Sequence, residues 1–313
     1  MKVLVTGATG FVGRYLCHAA IDLHYSVRVI VRPSADLSQL PPGVDIVSVD
    51  SILEPLPESA FFAVDTIIHL AARVHVMRDK SNDPLAANRE INTTATLSLA
   101  RQAAQHGVKR FIYLSSIKVN GEGGINLHQS YTEKDIPQPS DPYGQSKWEA
   151  EQGLAQIAAE TGLEIVIIRP PLVYGRQVKG NFQQLLRIIE RGIPLPFGRI
   201  KNARSLVYVG NLVDAILRCV THPAARNQTF IVSDGEDLST PELIRRLATW
   251  SQKSLTLLPI PPQLLILLGK LTNQTTTIDK LLGSLTVDIT HIQTTLDWKP
   301  PFTVDEGLRE TVK

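Results

Sequence analysis

The chain has 313 residues, 43% of them hydrophobic and 20% charged, enough to bury a full core in one large domain or two smaller ones. Its formal charge of +2 is spread evenly, so neither nucleic acid nor a polybasic membrane contact is expected. Two cysteines, Cys17 and Cys219, lie far apart; they fit a reducing, cytoplasmic setting rather than a disulfide framework.

Met1 to Gly7 runs straight into a glycine motif, so no leader segment is expected. Short β-branched runs then recur: Val3–Val5, Val27–Val31, Val44–Val49, Thr66–Leu70, Phe111–Leu114 and Ile165–Ile168. They are apolar on successive residues, as strands buried on both faces must be. Helical-period stretches lie between most of them, over Phe11–Asp22, Asn88–Gln105 and Tyr143–Thr161. The alternation predicts an α/β fold of Rossmann type, a doubly wound parallel sheet.

After Arg169 prolines punctuate shorter elements. A strand at Thr229–Val232 and a helix at Leu212–Val220 could still belong to the sheet. The remainder predicts a smaller, mostly helical substrate-binding cap, with helices over Phe182–Arg191, Pro241–Ser251, Gln263–Lys270, Ile278–Leu285, Asp288–Leu296 and Val304–Val312. Residues 1–170 are expected to form the sheet domain, with 205–235 returning to it, and 171–204 and 236–313 the cap. A cleft between them should lie outside the carboxyl ends of the strands. The most apolar run, Leu264 to Leu268, is too short to span a bilayer.

Gly7, Gly10 and Gly13, with Ala8, Thr9, Phe11 and Val12 between them, follow the first strand and open the first helix. Glycines there let the backbone turn tightly and approach a pyrophosphate, which would sit on the helix's amino-terminal amides. A glycine turn alone is a weak signal, but this one has the strand-then-helix context that dinucleotide binding requires. The second strand ends in Arg32, where an acid would grip a ribose 2′-hydroxyl. Arginine can pair with a 2′-phosphate instead, so NADP(H) is favoured over NAD(H). Asp50, after the third strand, is a candidate for the adenine amine; an exposed loop carboxylate is the plainer reading.

Tyr143 and Lys147 are four residues apart near the start of a helix that Asp141 can cap and Pro142 can begin. A neighbouring ammonium, with an oxidised nicotinamide, favours phenolate and suits the tyrosine to proton transfer. Ser116 stands at the carboxyl end of the strand Phe111–Leu114, where it could hold the same substrate oxygen.

On Gly7–Gly13, His69-Leu70-Ala71-Ala72, Asn92, Ser116, Tyr143 with Lys147, and Arg169-Pro170 with Val173-Tyr174-Gly175, the chain resembles the extended short-chain dehydrogenase/reductases over nearly its whole length. The likeness is to their NAD-dependent epimerase/dehydratase branch, which acts on nucleotide sugars. The resemblance implies that Ser116, Tyr143 and Lys147 are catalytic, with Lys147 also holding the nicotinamide ribose. It extends the cofactor set to Ser51, Ile52, Leu70, Ala71, Ala72, Asn92, Ser115, Pro170 and Val173. His69 becomes a structural strand residue, and no metal site is expected.

The same resemblance places Asn181 and Phe182 at a sugar diphosphate, Phe197 on a uracil base, and Arg204 on phosphate, with Ser116 and Tyr143 at the sugar. Leu172 stands where many epimerases have asparagine, and Gly210 where an acid is common. Family dehydratases carry an acidic pair after the catalytic hydroxyl. Here the pair is Ile117 and Lys118, so dehydration is disfavoured and hydride chemistry at sugar C4 remains. Because of Arg32, the leading expectation is NADP(H)-dependent reduction of a UDP-4-keto-6-deoxy-N-acetylhexosamine. The alternative is a UDP-glucose or UDP-N-acetylglucosamine 4-epimerase with bound NAD. A carbonyl reductase for a lipophilic substrate, using Leu264–Leu268, and a non-catalytic redox sensor rank below both. The intact Ser116/Tyr143/Lys147 set counts against the sensor, and Asn181 with Arg204 against the lipophilic substrate. A homodimer through helices Asn88–Gln105 and Tyr143–Thr161 is expected by resemblance.

Overall fold

A computed structural model describes residues 1–74, 81–125, 129–271 and 275–313. The side chains at 268, 275–277 and 280 lie outside that description. Seven strands form one parallel sheet: β1 (Lys2–Thr6), β2 (Ser26–Val31), β3 (Asp45–Ser48), β4 (Thr66–His69), β5 (Arg110–Leu114), β6 (Glu164–Arg169) and, later in the chain, Gln228–Ile231. Six of these match the apolar runs read from sequence, and the seventh is the run at Thr229–Val232. The order β3-β2-β1-β4-β5-β6 followed by the late strand reverses direction between β1 and β4. That reversal opens a crevice at the carboxyl edge, where ligands bind in doubly wound sheets. The edge strand β3 is mostly exposed, so it departs from the doubly buried pattern expected of all six.

Alternate strand residues feed two cores. Val3, Val5, Val27, Val29, Ile68 and Val166 join one cluster, whereas Leu4, Ile30, Ile67, Phe111 and Ile165 join the other. Helix α1 (Phe11–Asp22) covers the first face. The second is covered by α3 (Thr96–Gln105) and α4 (Pro142–Thr161), with α2 (Pro84–Arg89) ahead of them. The single helix expected over Asn88–Gln105 is interrupted by a π-helical turn, Glu90–Ala95. The wide turn holds the buried Asn92 side chain against the backbone of Arg73, accepting from its N–H at 2.8 Å and donating to its carbonyl at 3.1 Å. Such bulges are frequent at functional sites.

The rest of the chain adds β7 (Leu172–Tyr174), α5 (Asn181–Glu190), β8 (Arg204–Tyr208), α6 (Val209–Thr221), β9 (Gln228–Ile231, the late sheet strand), β10 (Asp237–Leu238), α7 (Thr240–Trp250), α8 (Pro262–Leu271), α9 (Thr275–Leu282), α10 (Thr290–Leu296) and α11 (Val304–Val312). Strands β10, β8 and β7 make a small second sheet that periodicity did not announce, because each is only two to five residues long. Among the described residues no helix is long and apolar enough to cross a membrane. The first core runs on through α6 to Ile244, Leu247, Ile292, Leu296 and Leu308, so α7, α10 and α11 share it. Gly210 is explained by packing: a Cβ there would lie 2.5 Å from the Tyr208 ring and 3.2 Å from Phe302.

A buried carboxylate pins this junction. Asp234, 8% exposed, accepts from Tyr208 N at 2.8 Å, Asn211 Nδ2 at 2.7 Å and the Tyr174 hydroxyl at 2.8 Å. Burial nonetheless pushes it up to about 6 from 3.8, so folding favours its protonated form. Its stabilising contribution is present below the unfolded value and is lost as pH rises through about 6. Asp234→Asn is expected to remove this dependence. In urea titrations from about pH 4 to about pH 7, wild type should lose up to about 3 kcal/mol relative to the variant. Parallel curves would show that the carboxylate does not titrate in this range.

Candidate active site

The crevice is built by close backbone approach. Gly7 follows β1 with φ +73°, and a Cβ there would sit 2.7 Å from Ala71 N; a Cβ on Gly13 would sit 2.2 Å from the Gly7 carbonyl. Gly10 opens α1 without any side-chain cap, which leaves first-turn N–H groups for an anion. This cradle, which no side chain may fill, fits a dinucleotide pyrophosphate. Thr9, Phe11 and Val12 are half-buried around it, and Phe11 meets Tyr15 edge-on at 5.9 Å.

Across the crevice, Leu70, Ala71 and Ala72 are half-buried after β4, and Ala71 N donates to Thr6 Oγ1 at 3.3 Å. His69 lies beneath, 2.7 Å from Thr6 Oγ1 and 2.9 Å from Thr96 Oγ1, and burial pushes it down to about 3. It is a neutral strand residue. Asn92 is buried in the same layer, and its side chain bonds the backbone of Arg73. Arg32 and Asp50 stand exposed at the ends of β2 and β3, while Ser51 and Ile52 are half-buried. Pro170 is buried and Val173 half-buried past β6.

The three expected catalytic residues come together. Asp141 caps α4, accepting from Gly144 N at 2.6 Å, and Pro142 begins it. This start aims Tyr143, Lys147 and Glu151 along one helix face. Ser116, the residue next but one after β5, lies beside the Tyr143 phenol and favours its ionised form. Lys147 Nζ lies 5.9 Å from the Tyr143 ring centre and 4.4 Å from that of Tyr113, and donates to the Leu114 carbonyl at 2.9 Å. Burial pushes Lys147 down to about 7, against the pull of Glu151. The Tyr143 phenol is raised, by desolvation first and then by Asp141. The expectation joined the ammonium to an oxidised nicotinamide; among the protein groups alone, Lys147 points at a carbonyl and removal from water outweighs its field.

Beneath this set lies an ion pair that sequence reasoning missed. Glu151 and Arg169, 2% and 4% exposed, meet at 2.5 Å. The guanidinium also donates to Asn120 Oδ1 at 3.0 Å, and the Ser115 hydroxyl donates to the carboxylate. Ser115 therefore braces the site from below. The signal available was the four-residue repeat Tyr143, Lys147, Glu151.

The expected substrate residues are less united. Asn181 is exposed at the first turn of α5, but Phe182 is 4% exposed and stacks on Tyr174 at 5.7 Å. Phe182 is thus a core residue, because the helix face it occupies is packed inward. Phe197 is half-buried between the main core and the smaller cluster of Ile200, Leu265 and Leu282. Arg204 donates to the Gly283 carbonyl at 3.1 Å. Leu172 is exposed. Near Phe197 and Arg204 in the chain, a cavity of about 620 Å³ is lined by Gly198, Arg199, Lys201, Gln263, Leu282 and Ser284. Its two cations were legible in the segment Leu195–Arg204 but were not singled out. Among the described residues there is no cluster of three metal-ligating side chains.

A dinucleotide cradle at the sheet's switch point, with serine, tyrosine and lysine beside it, defines an oxidoreductase-type site of the short-chain class. The family model for NAD-dependent epimerases and dehydratases matches residues 3–233, and the chain belongs to that family, within the extended short-chain dehydrogenase/reductases. It is 45% identical over 316 aligned residues to a UDP-glucose 4-epimerase of Vibrio cholerae, covering 100% of this chain and 94% of that protein. It is 27% identical over 333 residues to an N-acetyl-α-D-glucosaminyl-diphospho-ditrans,octacis-undecaprenol 4-epimerase of Escherichia coli O157:H7, covering 100% and 94%. Among solved structures, the UDP-glucose 4-epimerase of Thermotoga maritima with UDP-glucose superposes with a TM-score of 0.78 at 26% identity, covering 100% of this chain and 97% of that one. The family description, NAD-dependent, lends no support to the NADP(H) preference drawn from Arg32. Exposed at a strand end, that guanidinium is open to solvent and compatible with either ribose.

Arg169→Met leaves Glu151 as an uncompensated buried charge. Its unfolding free energy in urea should fall by about 3–5 kcal/mol, and Glu151→Met added to it should recover part of the loss. A single variant as stable as wild type would remove the pair from the structural account.

Proposed function

We propose that the protein is a UDP-hexose 4-epimerase working with tightly held NAD, interconverting UDP-glucose or UDP-N-acetylglucosamine with its C4 epimer. The observation that carries this reading is the whole-chain similarity to the V. cholerae epimerase, coupled to a Ser116–Tyr143 pair at the carboxyl edge of β5. It displaces the reductase reading, which rested on Arg32 alone.

In this reading Gly7–Gly13 and the first turn of α1 hold the pyrophosphate. Lys147 holds the nicotinamide ribose, and the half-buried surroundings of Thr9, Leu70, Ala71, Ala72 and Val173 exclude water. Bound NAD would supply the acceptor and later the donor of the C4 hydride. Ser116 and Tyr143 grip the oxygen on C4. Tyr143 takes the hydroxyl proton as the C4–H bond is broken, which leaves a 4-keto sugar, and returns it when hydride is delivered to the opposite face. Inversion requires the keto sugar to present both faces, so the nucleotide must anchor it; Arg204, Asn181, Phe197 and the cavity lined by Arg199 and Lys201 are suited to a uridine diphosphate. Hydride leaves and returns at one carbon, so no net redox change accumulates.

The test uses purified protein with UDP-glucose, and separately UDP-N-acetylglucosamine, without added cofactor, reading formation of the C4 epimer. Epimerisation is expected. Stoichiometric NADPH oxidation with UDP-4-keto-6-deoxy-N-acetylglucosamine, without epimerisation, would instead support the reductase that Arg32 suggests. Tyr143→Phe should lower turnover by about 10²–10⁴-fold; an undiminished rate would sink the proton-transfer assignment.

A further inference from the structure

A second ammonium stands beside Tyr143. Lys118 Nζ lies 5.9 Å from the Tyr143 ring centre, the same separation as Lys147. The two differ in surroundings. Lys147 is buried and turned to the Leu114 carbonyl, whereas Lys118 is a quarter exposed, pairs with Asp141 and lies 3.0 Å from Glu122. Lys118 follows Ser116 by two residues, and its own N–H donates to Ser116 Oγ at 3.3 Å. The short helical turn Ile117–Val119 thus fixes both residues relative to each other.

Asp141 must keep its carboxylate near Tyr143, because the same group caps α4. A carboxylate there opposes phenolate formation. We propose that Lys118 is a positioning residue whose ammonium offsets Asp141 and Glu122, setting the pH range in which Tyr143 exchanges protons. The inference rests on the assignment of Tyr143 as the acid/base above.

Among the described residues, the charged or titratable groups facing Tyr143 are few. Lys118 and Glu122 come from the segment after β5, Asp141 from the α4 cap, Lys147 from α4 with Glu151 one turn on, and Tyr113 from β5. Glu151 is committed to Arg169, so Lys118 is the cation that answers Asp141. Desolvation and Asp141 both raise the phenol, in keeping with a site that needs an opposing charge.

The experiment is the pH profile of kcat/KM for Lys118→Met, Lys118→Arg, Asp141→Asn and the Lys118→Met/Asp141→Asn pair. Asparagine retains the cap, so Asp141→Asn removes charge and keeps the helix start. Lys118→Met should move the acidic limb to higher pH by on the order of one unit. Asp141→Asn should move it to lower pH, Lys118→Arg should leave it near wild type, and the pair should fall between the single variants. Ultraviolet difference titration of each folded variant against its Tyr143→Phe counterpart reads the phenol directly, without turnover. An unmoved limb and phenol titration in both Lys118→Met and Asp141→Asn would overturn the proposal. If Lys118→Met does not fold, an unmoved limb and phenol in Asp141→Asn suffices. Full activity of Tyr143→Phe would instead sink the underlying acid/base assignment, a separate failure.

Discussion

A carboxylate with almost no access to water remains charged only beside a cation that is equally enclosed, and Glu151 with Arg169 is that arrangement. The pair ties the middle of α4 to the end of β6, and Ser115 adds the end of β5 through its hydroxyl. Three elements are locked at the level where α4 carries Tyr143 and Lys147 and β5 delivers Ser116. Were α4 free to rotate, the phenol and the serine hydroxyl would part. The pair also matters electrically: burial lowers the Lys147 ammonium, and Glu151 favours its charged form against that burial. Hydrophobic packing alone would hold the helix but would leave that lysine without a counter-charge.

The other half of the site depends on the opposite device, the absence of side chains. At the switch point β1 and β4 approach so closely that Gly7 touches the Ala71 backbone. Thr6, His69, Thr96 and Asn92 carry hydrogen bonds from this contact down to the π turn, and Asn92 Nδ2 reaches Ser146 Oγ on α4 at 3.0 Å. The cofactor cradle and the Tyr143 helix are therefore one hydrogen-bonded layer. In the proposed reaction the nicotinamide and the sugar C4 must meet for hydride to pass, and a shared rigid layer would keep the two edges in register.

Most of the sheet, and the grouping of Ser116, Tyr143 and Lys147 at its carboxyl edge, were legible in the sequence, because strands buried on both faces and a glycine turn at residue 7 leave strong local patterns. The parts that were not legible depend on tertiary contacts. The π turn at Glu90–Ala95 arises from Asn92 reaching a loop some twenty residues away, which no helical period reveals. Strands β7, β8 and β10 are too short to show alternation. Phe182 reads as an apolar residue beside a polar one, suitable for a ligand, until its ring is seen stacked on Tyr174. Arg32 shows the limit from the other side: residue type and position were read correctly, yet an exposed arginine is permissive, and chemistry inferred from it alone led toward the reductase.

Lys118 and Ile117 bear on why this site is suited to hydride transfer rather than elimination. Expelling water from a sugar next to a carbonyl needs a base for one proton and an acid for the departing oxygen, both positioned near the carbon that Tyr143 serves. Ile117 is buried and has no proton to give. Lys118 is held in ion pairs with Asp141 and Glu122, which favour its protonated form, so it cannot serve as a base near neutral pH. That leaves the proton transfer to Tyr143 in the proposed reaction. In the proposed reaction the Tyr143 phenol, the Ser116 hydroxyl and a compensated ammonium would remove and return a proton at a single oxygen, which is what inversion at one carbinol carbon requires.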